Sequence, residues 1–185
     1  MKKNKSKQIH HDVDIDIQRM LNIANNFYEA AVLCAETKTQ VDAELFSLDG
    51  NNEKIMGKAL VTKLLAPSKV NISLASELYL KTLCQHHLTM FEKKHDLKDL
   101  YKDLPPDVRE KIFILVKEYI SGGTGISIDE KMFDKQLTLI SEDFEKWRYV
   151  GVWGNILKTL NDSDFIWLFA NALKETTNKL RKETM

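Results

Sequence analysis

Of the five histidines in the sequence, His95 stands where a side chain could do chemistry. It precedes Asp96 in the segment HDLKDLYKDLPP, where Asp96 suits the N-cap of a short helix and Asp99 follows three residues later. A helix cap does not need a histidine in front of it. An imidazole titrates near neutral pH, so it can act as a general acid or base or donate a hydrogen bond to an anion. The plainer interpretation is that His95 fixes the turn by bonding to nearby backbone or to a carboxylate.

A second set of charged residues falls where apolar neighbours predict burial. Arg148 follows Trp147, the last residue of an apolar helical seam, and Glu77 lies in a segment that is apolar on almost every side. A buried arginine needs a carboxylate, and a buried carboxylate needs a cation, which Lys81 one turn away supplies only in part. Two interpretations stay open. One is a structural pair of Glu77 with Arg148, and the other is a polar pocket where Arg148 and His95 bind an anion such as phosphate.

Metal ligands are a further option, because Cys84 and His87 lie three residues apart on one helical face and His95 could fold back towards them. Three such ligands would resemble an open zinc site. His87, however, falls among apolar residues, where an imidazole is more often a hydrogen-bonded core residue. We therefore expect no metal and no other cofactor, with His87 in the core and His86 solvated beside it.

Helices are predicted to position these residues, because the apolar positions repeat at three- and four-residue intervals. The first helix carries a stripe from Ile17 to Ala35 and is expected to continue through Leu48 to the DGNN segment. A second helix is predicted over EKIMGKALVTKLL, and a central helix from Val70 to Phe91. Further helices are predicted after His95, at Pro106, around Phe133 and near Asp162. Six or seven helices with short connections predict an all-α, up-and-down bundle.

Length and composition limit the class of protein. The 185 residues fit one domain, which we expect at residues 12–185 behind a disordered basic tail at residues 1–11. The 27 basic and 27 acidic residues cancel, so no global field attracts nucleic acid or a membrane. Cys34 and Cys84 lie in apolar patterns typical of reduced, buried thiols. No apolar segment reaches the roughly 18 residues of a membrane span, so we expect a cytoplasmic protein with no membrane partner.

Three segments in a fixed order resemble the HEPN (higher eukaryotes and prokaryotes nucleotide-binding) domains. They are SLASELYLKTL at 73–83, KKHDLKDLYKDLPPDV at 93–108 and FEKWRYVGVW at 144–153. The resemblance implies a bundle of four or five long helices that forms a homodimer. Members of the family include metal-independent RNases of toxin–antitoxin and phage-defence systems, and non-catalytic relatives that bind nucleotides or RNA.

The resemblance also implies where this chain departs from catalytic members, which carry Arg, four to six residues, and then His. In them arginine binds the scissile phosphate and histidine acts as acid or base. This motif is absent here, because His95 is the last histidine and the only arginine before it is Arg19. Downstream of Arg148, the polar residue at that spacing is Asn155, which cannot take up a proton at neutral pH.

Three functions follow as expectations. The first is a non-catalytic or degenerate HEPN-like module that binds a nucleotide, an RNA or a protein partner in stress response or phage defence. Its polar pocket would be formed by Glu77, Lys81, His95, Asp96 and Arg148. The alternative is an RNase toxin with a site built from Arg148, His95 and Tyr149, and the third is a purely structural interaction protein. A homodimer is expected in addition, because the apolar seam of residues 133–147 and the apolar last helix exceed what a small bundle needs to cover itself.

Overall fold

Six α-helices and one β-hairpin make up the part of the chain that the computed structural model describes. The described backbone comprises residues 2–46, 54–62, 65–88, 93–124, 127–148 and 164–183, and the described side chains are those of 16–38, 66–88, 93–122, 127–142 and 165–179. The elements in order are α1 Lys2–Glu36, β1 Lys38–Phe46, β2 Lys54–Thr62, α2 Leu65–Leu88, α3 Leu97–Asp103, α4 Pro106–Thr124, α5 Glu130–Arg148 and α6 Asp164–Glu183. Helices dominate this list, so the predicted all-α bundle is confirmed.

The first helix, α1, matches the predicted stripe over its described side chains. Leu21, Ala24 and Ala31 are buried, whereas Arg19 and Glu29 are exposed, as expected when one face of a helix packs on a core. The helix begins at Lys2, so the segment expected to be a disordered tail has helical backbone from that residue on.

The chain after α1 differs from the sequence-based expectation. β1 and β2 pair antiparallel, with Val41 opposite Ala59. The predictions that the first helix continues to Leu48 and that EKIMGKALVTKLL forms a second helix are therefore wrong. The segment TQVDAEL alternates apolar and polar residues with the period of two that suits a strand. The Asp-Gly pair in DGNN is also typical of a hairpin turn in sequence terms. The helical interpretation takes this segment only as the end of the first helix.

The central position predicted for the third helical segment is confirmed in α2. This helix packs against α1, α3, α5 and α6, so it has neighbours on several sides. Its residues Ile72, Tyr79, Leu80 and Leu83 have no exposed surface. Polar positions such as Glu77 are buried with them. None of the described helices, α2 included, combines the length and apolar character needed to cross a membrane.

The remaining helices close the core around α2. Buried residues of this part include Leu97, Leu100, Val108, Ile112, Val116, Phe133, Leu137, Ile140, Phe165, Phe169 and Leu173. The ring of Phe133 contacts those of Tyr101, Phe113, Phe165 and Phe169, so α5 is joined to three other helices by aromatic packing. The described part of the α5 seam is thus covered by the chain itself, whereas the side chains of Phe144 and Trp147 lie outside the described residues.

Candidate functional site

Three of the residues predicted to form a polar pocket meet at one carboxylate oxygen. Oε1 of Glu77 accepts a hydrogen bond from Nζ of Lys81 at 2.9 Å and lies 2.8 Å from Nδ1 of His95. The side chains of Glu77 and Lys81 are only 6% and 7% exposed, whereas that of His95 is 58% exposed. These residues, called the Glu77 cluster below, connect a buried ion pair to the protein surface.

Local structure explains how the Glu77 cluster forms. Glu77 and Lys81 are one turn apart on α2 with the acid on the N-terminal side, which is the favourable order for such a pair. His95 lies in the loop just before α3. That helix is held against α2 by Leu97 and Leu100, both fully buried. The packing of α3 against α2 therefore places His95 near Glu77, and the contacts of the imidazole itself are not needed for this.

The predicted N-cap of α3 is confirmed. Oδ1 of Asp96 accepts a hydrogen bond from the backbone N–H of Asp99 at 2.7 Å, and the backbone oxygen of Asp96 accepts one from Leu100. The cap uses the carboxylate of Asp96, so this residue supports the start of α3 beside the cluster. The predicted hydrogen bond of His95 to a carboxylate is the one to Glu77.

A second set of contacts fixes α3 to α5. Nζ of Lys98 donates to Oδ2 of Asp134 at 2.7 Å and to Oγ1 of Thr138 at 2.6 Å. The backbone N–H of Lys98 donates to the buried hydroxyl of Ser141 at 2.9 Å. Sequence reasoning missed these residues, because they are about forty positions apart along the chain and each alone looks like an ordinary helix-surface residue. Their effect is to hold the helix that follows His95.

The charges of the Glu77 cluster determine what it can do. Lys81 and Glu77 cancel, so a protonated His95 gives the cluster a net positive charge at its exposed end. With Nδ1 directed at the carboxylate, Nε2 is the ring nitrogen left for another partner. The protonated ring donates from Nε2 to an anion, and the neutral ring with its proton on Nδ1 can accept a proton there. Both binding and acid–base chemistry are compatible with this geometry.

Two predicted site residues lie beyond what the structure describes. Arg148 is the last residue of α5, but its side chain is outside the described residues, and Tyr149 is outside them entirely. The predicted contact between Glu77 and Arg148 therefore stays a prediction. The described side chains that contact the Glu77 carboxylate include those of Lys81 and His95.

The described residues considered as metal ligands do not form a metal-binding group. The thiol of Cys84 is buried and donates to the backbone oxygen of Leu100 at 3.7 Å. His87 is exposed, so its predicted place in the core is wrong; it lies in the last turn of α2, where burial along the helix ends. Partial burial of the ring, followed by the electrostatic effect of the neighbouring His86, lowers the pKa of His87. Within the described ranges, no three His, Cys, Asp or Glu side chains are grouped as a metal site.

Comparison with known proteins adds no relative. No protein-family model, curated protein or solved structure matches this chain.

Proposed function

We propose that the chain is a non-catalytic HEPN-like module that binds the phosphate of a nucleotide or an RNA at the Glu77 cluster. The observation that carries the proposal is the sharing of one carboxylate oxygen by Lys81 and His95. When His95 is protonated, it and Lys81 together exceed the charge of the Glu77 carboxylate, and His95 presents this positive charge at the surface. Phosphate oxygens are strong acceptors of such charge-assisted hydrogen bonds.

The resemblance to HEPN domains supports the same choice of ligand. Two of the three resembling segments supply the cluster, because SLASELYLKTL lies within α2 and KKHDLKDLYKDLPPDV contains His95 and α3. The helical bundle agrees with the architecture that the resemblance implies. By the same resemblance we propose a cytoplasmic homodimer that acts in stress response or phage defence.

The proposed absence of catalysis follows from the number of groups that can move a proton. RNA cleavage without metal needs a base for the 2′-hydroxyl and an acid for the leaving oxygen, both within reach of one phosphate. In the Glu77 cluster the carboxylate and Lys81 are buried and paired with each other, so His95 is the exposed titratable group. The Arg and His spacing of catalytic relatives is absent as well.

The contact between Glu77 and His95 favours one alternative, a metal-independent RNase. A carboxylate that bonds Nδ1 fixes the tautomer and orientation of an imidazole, which is how general bases are held in many enzymes. In this alternative His95 is the base, and Arg148 and Tyr149 complete the site.

Binding is tested by fluorescence anisotropy with a labelled single-stranded RNA and a labelled ATP analogue. We expect the parent to bind, and His95→Ala to weaken binding by about tenfold, the effect of losing one charge-assisted hydrogen bond. His87→Ala is the matched control, because it removes an exposed histidine outside the cluster. Binding should also weaken as salt is raised. If neither probe binds, or if His95→Ala binds as the parent does, the proposal fails in favour of a structural interaction protein.

Catalysis is tested separately by a cleavage assay in EDTA on structured and single-stranded RNA. The proteins compared are the parent, His95→Ala and Arg148→Ala, each checked for folding by circular dichroism. We expect no cleavage by any of them. Cleavage by the parent that both substitutions abolish in folded protein would establish the RNase instead.

A further inference from the structure

A cleft of about 380 Å³, lined by charged and amide side chains, lies on α6 and is separate from the residues of the Glu77 cluster. Its described lining comes from one residue of α4 and one face of α6: Tyr119, Asn171, Lys174, Glu175, Asn178 and Lys179. The volume is at the lower end of the range typical of small-molecule sites. We call it the α6 cleft.

Lys174 supplies the α6 cleft with a cation that no carboxylate neutralises among the described residues. Its Nζ lies 3.8 Å from the centroid of the Tyr28 ring, and this cation–π contact holds the ammonium in place. Tyr28 is itself packed edge-on against Trp167. Lys179, by contrast, pairs with Glu175 at 2.6 Å. The charges of Lys174, Glu175 and Lys179 together leave the cleft positive.

Two amide side chains flank Lys174, and together with its ammonium they form a row of hydrogen-bond donors. Asn171 lies three residues before it and Asn178 four residues after it, so all three are on one face of α6. Oδ1 of Asn171 accepts the hydrogen bond of the Tyr28 hydroxyl, which leaves its Nδ2 group to donate elsewhere. Three side-chain donors in a row match the several acceptor oxygens of an oxyanion.

Glu175 gives the same cleft an acceptor. One oxygen, Oε2, accepts from the hydroxyl of Tyr119 at 2.6 Å, and the other accepts from Lys179. The bond from Lys179, and then that from Tyr119, lowers the pKa of Glu175, so the carboxylate is ionised at neutral pH. Each carboxylate oxygen has two lone-pair sites, which leaves room for the hydroxyl group of a ligand.

We infer that the α6 cleft binds a small phosphate monoester that also carries hydroxyl groups, such as a sugar phosphate. The phosphate lies at Asn171, Lys174 and Asn178, and a hydroxyl of the same molecule donates to Glu175. A positive cleft attracts the anion, and the carboxylate selects a ligand with donors over a bare anion. This site is independent of the nucleotide or RNA site proposed at His95.

The inference is tested by isothermal titration calorimetry with ribose 5-phosphate, inorganic phosphate and ribose. We expect ribose 5-phosphate to bind the parent at least about tenfold more tightly than either of the other two, because only it engages both halves of the cleft. Lys174→Gln should weaken its binding by about tenfold, and Asn178→Ala by a smaller factor. Lys117→Gln is the matched control, since Lys117 is an exposed lysine on α4 outside the cleft lining.

Each other outcome overturns a defined part of the inference. No binding of ribose 5-phosphate, or equal binding by the parent and a folded Lys174→Gln variant, would exclude the site. Should Lys174→Gln not fold, Asn178→Ala decides the same question. Equal affinity for inorganic phosphate would exclude recognition of hydroxyls by Glu175. Binding that His95→Ala abolishes and Lys174→Gln leaves intact would assign the ligand to the Glu77 cluster instead.

Discussion

At the scale of single residues, the Glu77 cluster combines groups of very different burial. A carboxylate buried in an apolar helix destabilises a fold unless cations meet it, and here Lys81 provides a buried partner and His95 a surface partner. The contacts of Glu77 with Lys81 and with His95 are of similar length. They differ in exposure, because water can reach His95 but hardly Lys81. Removing Lys81 takes away a contact that water cannot readily replace, whereas solvent can take the place of His95.

Stability measurements on variants should show this difference. Glu77→Ala is expected to lower the free energy of unfolding by about 3 to 5 kcal/mol, because it removes the carboxylate that contacts the buried ammonium of Lys81. His95→Ala is expected to lower it by less than about 1 kcal/mol, because the imidazole is exposed and water can replace it. Urea unfolding followed by circular dichroism measures both. Equal losses in the two variants would mean that the burial of Glu77 does not control its contribution.

The phenol of Tyr101 should make stability depend on pH in the alkaline range. Burial raises the pKa of Tyr101 from 10.0 to about 12, and its hydroxyl donates to the backbone oxygen of Arg109 at 2.9 Å. Because the folded state holds the proton more tightly, this stabilisation is complete below pH 10 and is lost as the pH rises towards 12. Urea unfolding across this range should show a steeper loss for the parent than for Tyr101→Phe. Parallel pH profiles would contradict the assignment.

At the scale of elements, α3 is too short to be stable by itself and depends on its ends and neighbours. It has seven residues, and isolated helices of that length are not stable in water. The Asp96 cap, the buried Leu97 and Leu100, and the contacts of Lys98 with α5 hold it in place. Because His95 immediately precedes α3, His95 is placed beside Glu77 only when α3 is folded.

Removal of the cap should therefore affect both stability and the proposed site. Asp96→Ala is expected to lower the free energy of unfolding by about 1 kcal/mol, the usual effect of losing a side-chain N-cap. Asp99→Ala is the control, because Asp99 is exposed and contributes its backbone N–H, not its carboxylate, to the cap. Thermal melts of the two variants compare them directly. An Asp96→Ala variant as stable as Asp99→Ala would show that α3 is held by packing alone.

At the scale of the whole molecule, one core cluster includes residues of each of the six helices that the structure describes. Phe133, Leu137 and Ile140 of the α5 seam belong to it, so they are not free to form a dimer interface. The proposed homodimer therefore rests on the resemblance to HEPN domains and no longer on surplus apolar surface in this part of α5.

Light scattering on the purified chain tests the assembly. We expect twice the mass of the 21.4 kDa chain at micromolar concentration. Leu137→Ala should destabilise the protein by about 2 to 5 kcal/mol through the cavity it leaves, without changing that mass, because Leu137 lies in the core of one chain. A mass of one chain for the parent would exclude the dimer, and a change of mass in a folded Leu137→Ala variant would return the seam to the interface.

The sequence alone determined the features that depend on local spacing. The three- and four-residue intervals of apolar residues predicted the central helix, the stripe of α1 and the α5 seam, and a capping aspartate before Leu97 predicted α3. These features could be read because helix periodicity and side-chain caps involve residues only a few positions apart. The charges at Glu77 and His95 were likewise visible as residues whose surroundings did not suit them.

The tertiary structure decided what depends on contacts between distant segments. Residues 38–46 and 54–62 carry signals for both helix and strand, and the antiparallel pairing of β1 with β2 resolved them as strands. The partner of His95 was also decided there, because Glu77 lies eighteen positions earlier and only the packing of α3 on α2 brings the two together. The α6 cleft shows the same limit most clearly. Tyr28 and Asn171 are 143 residues apart, and no local pattern carries information about a contact that the whole bundle must form.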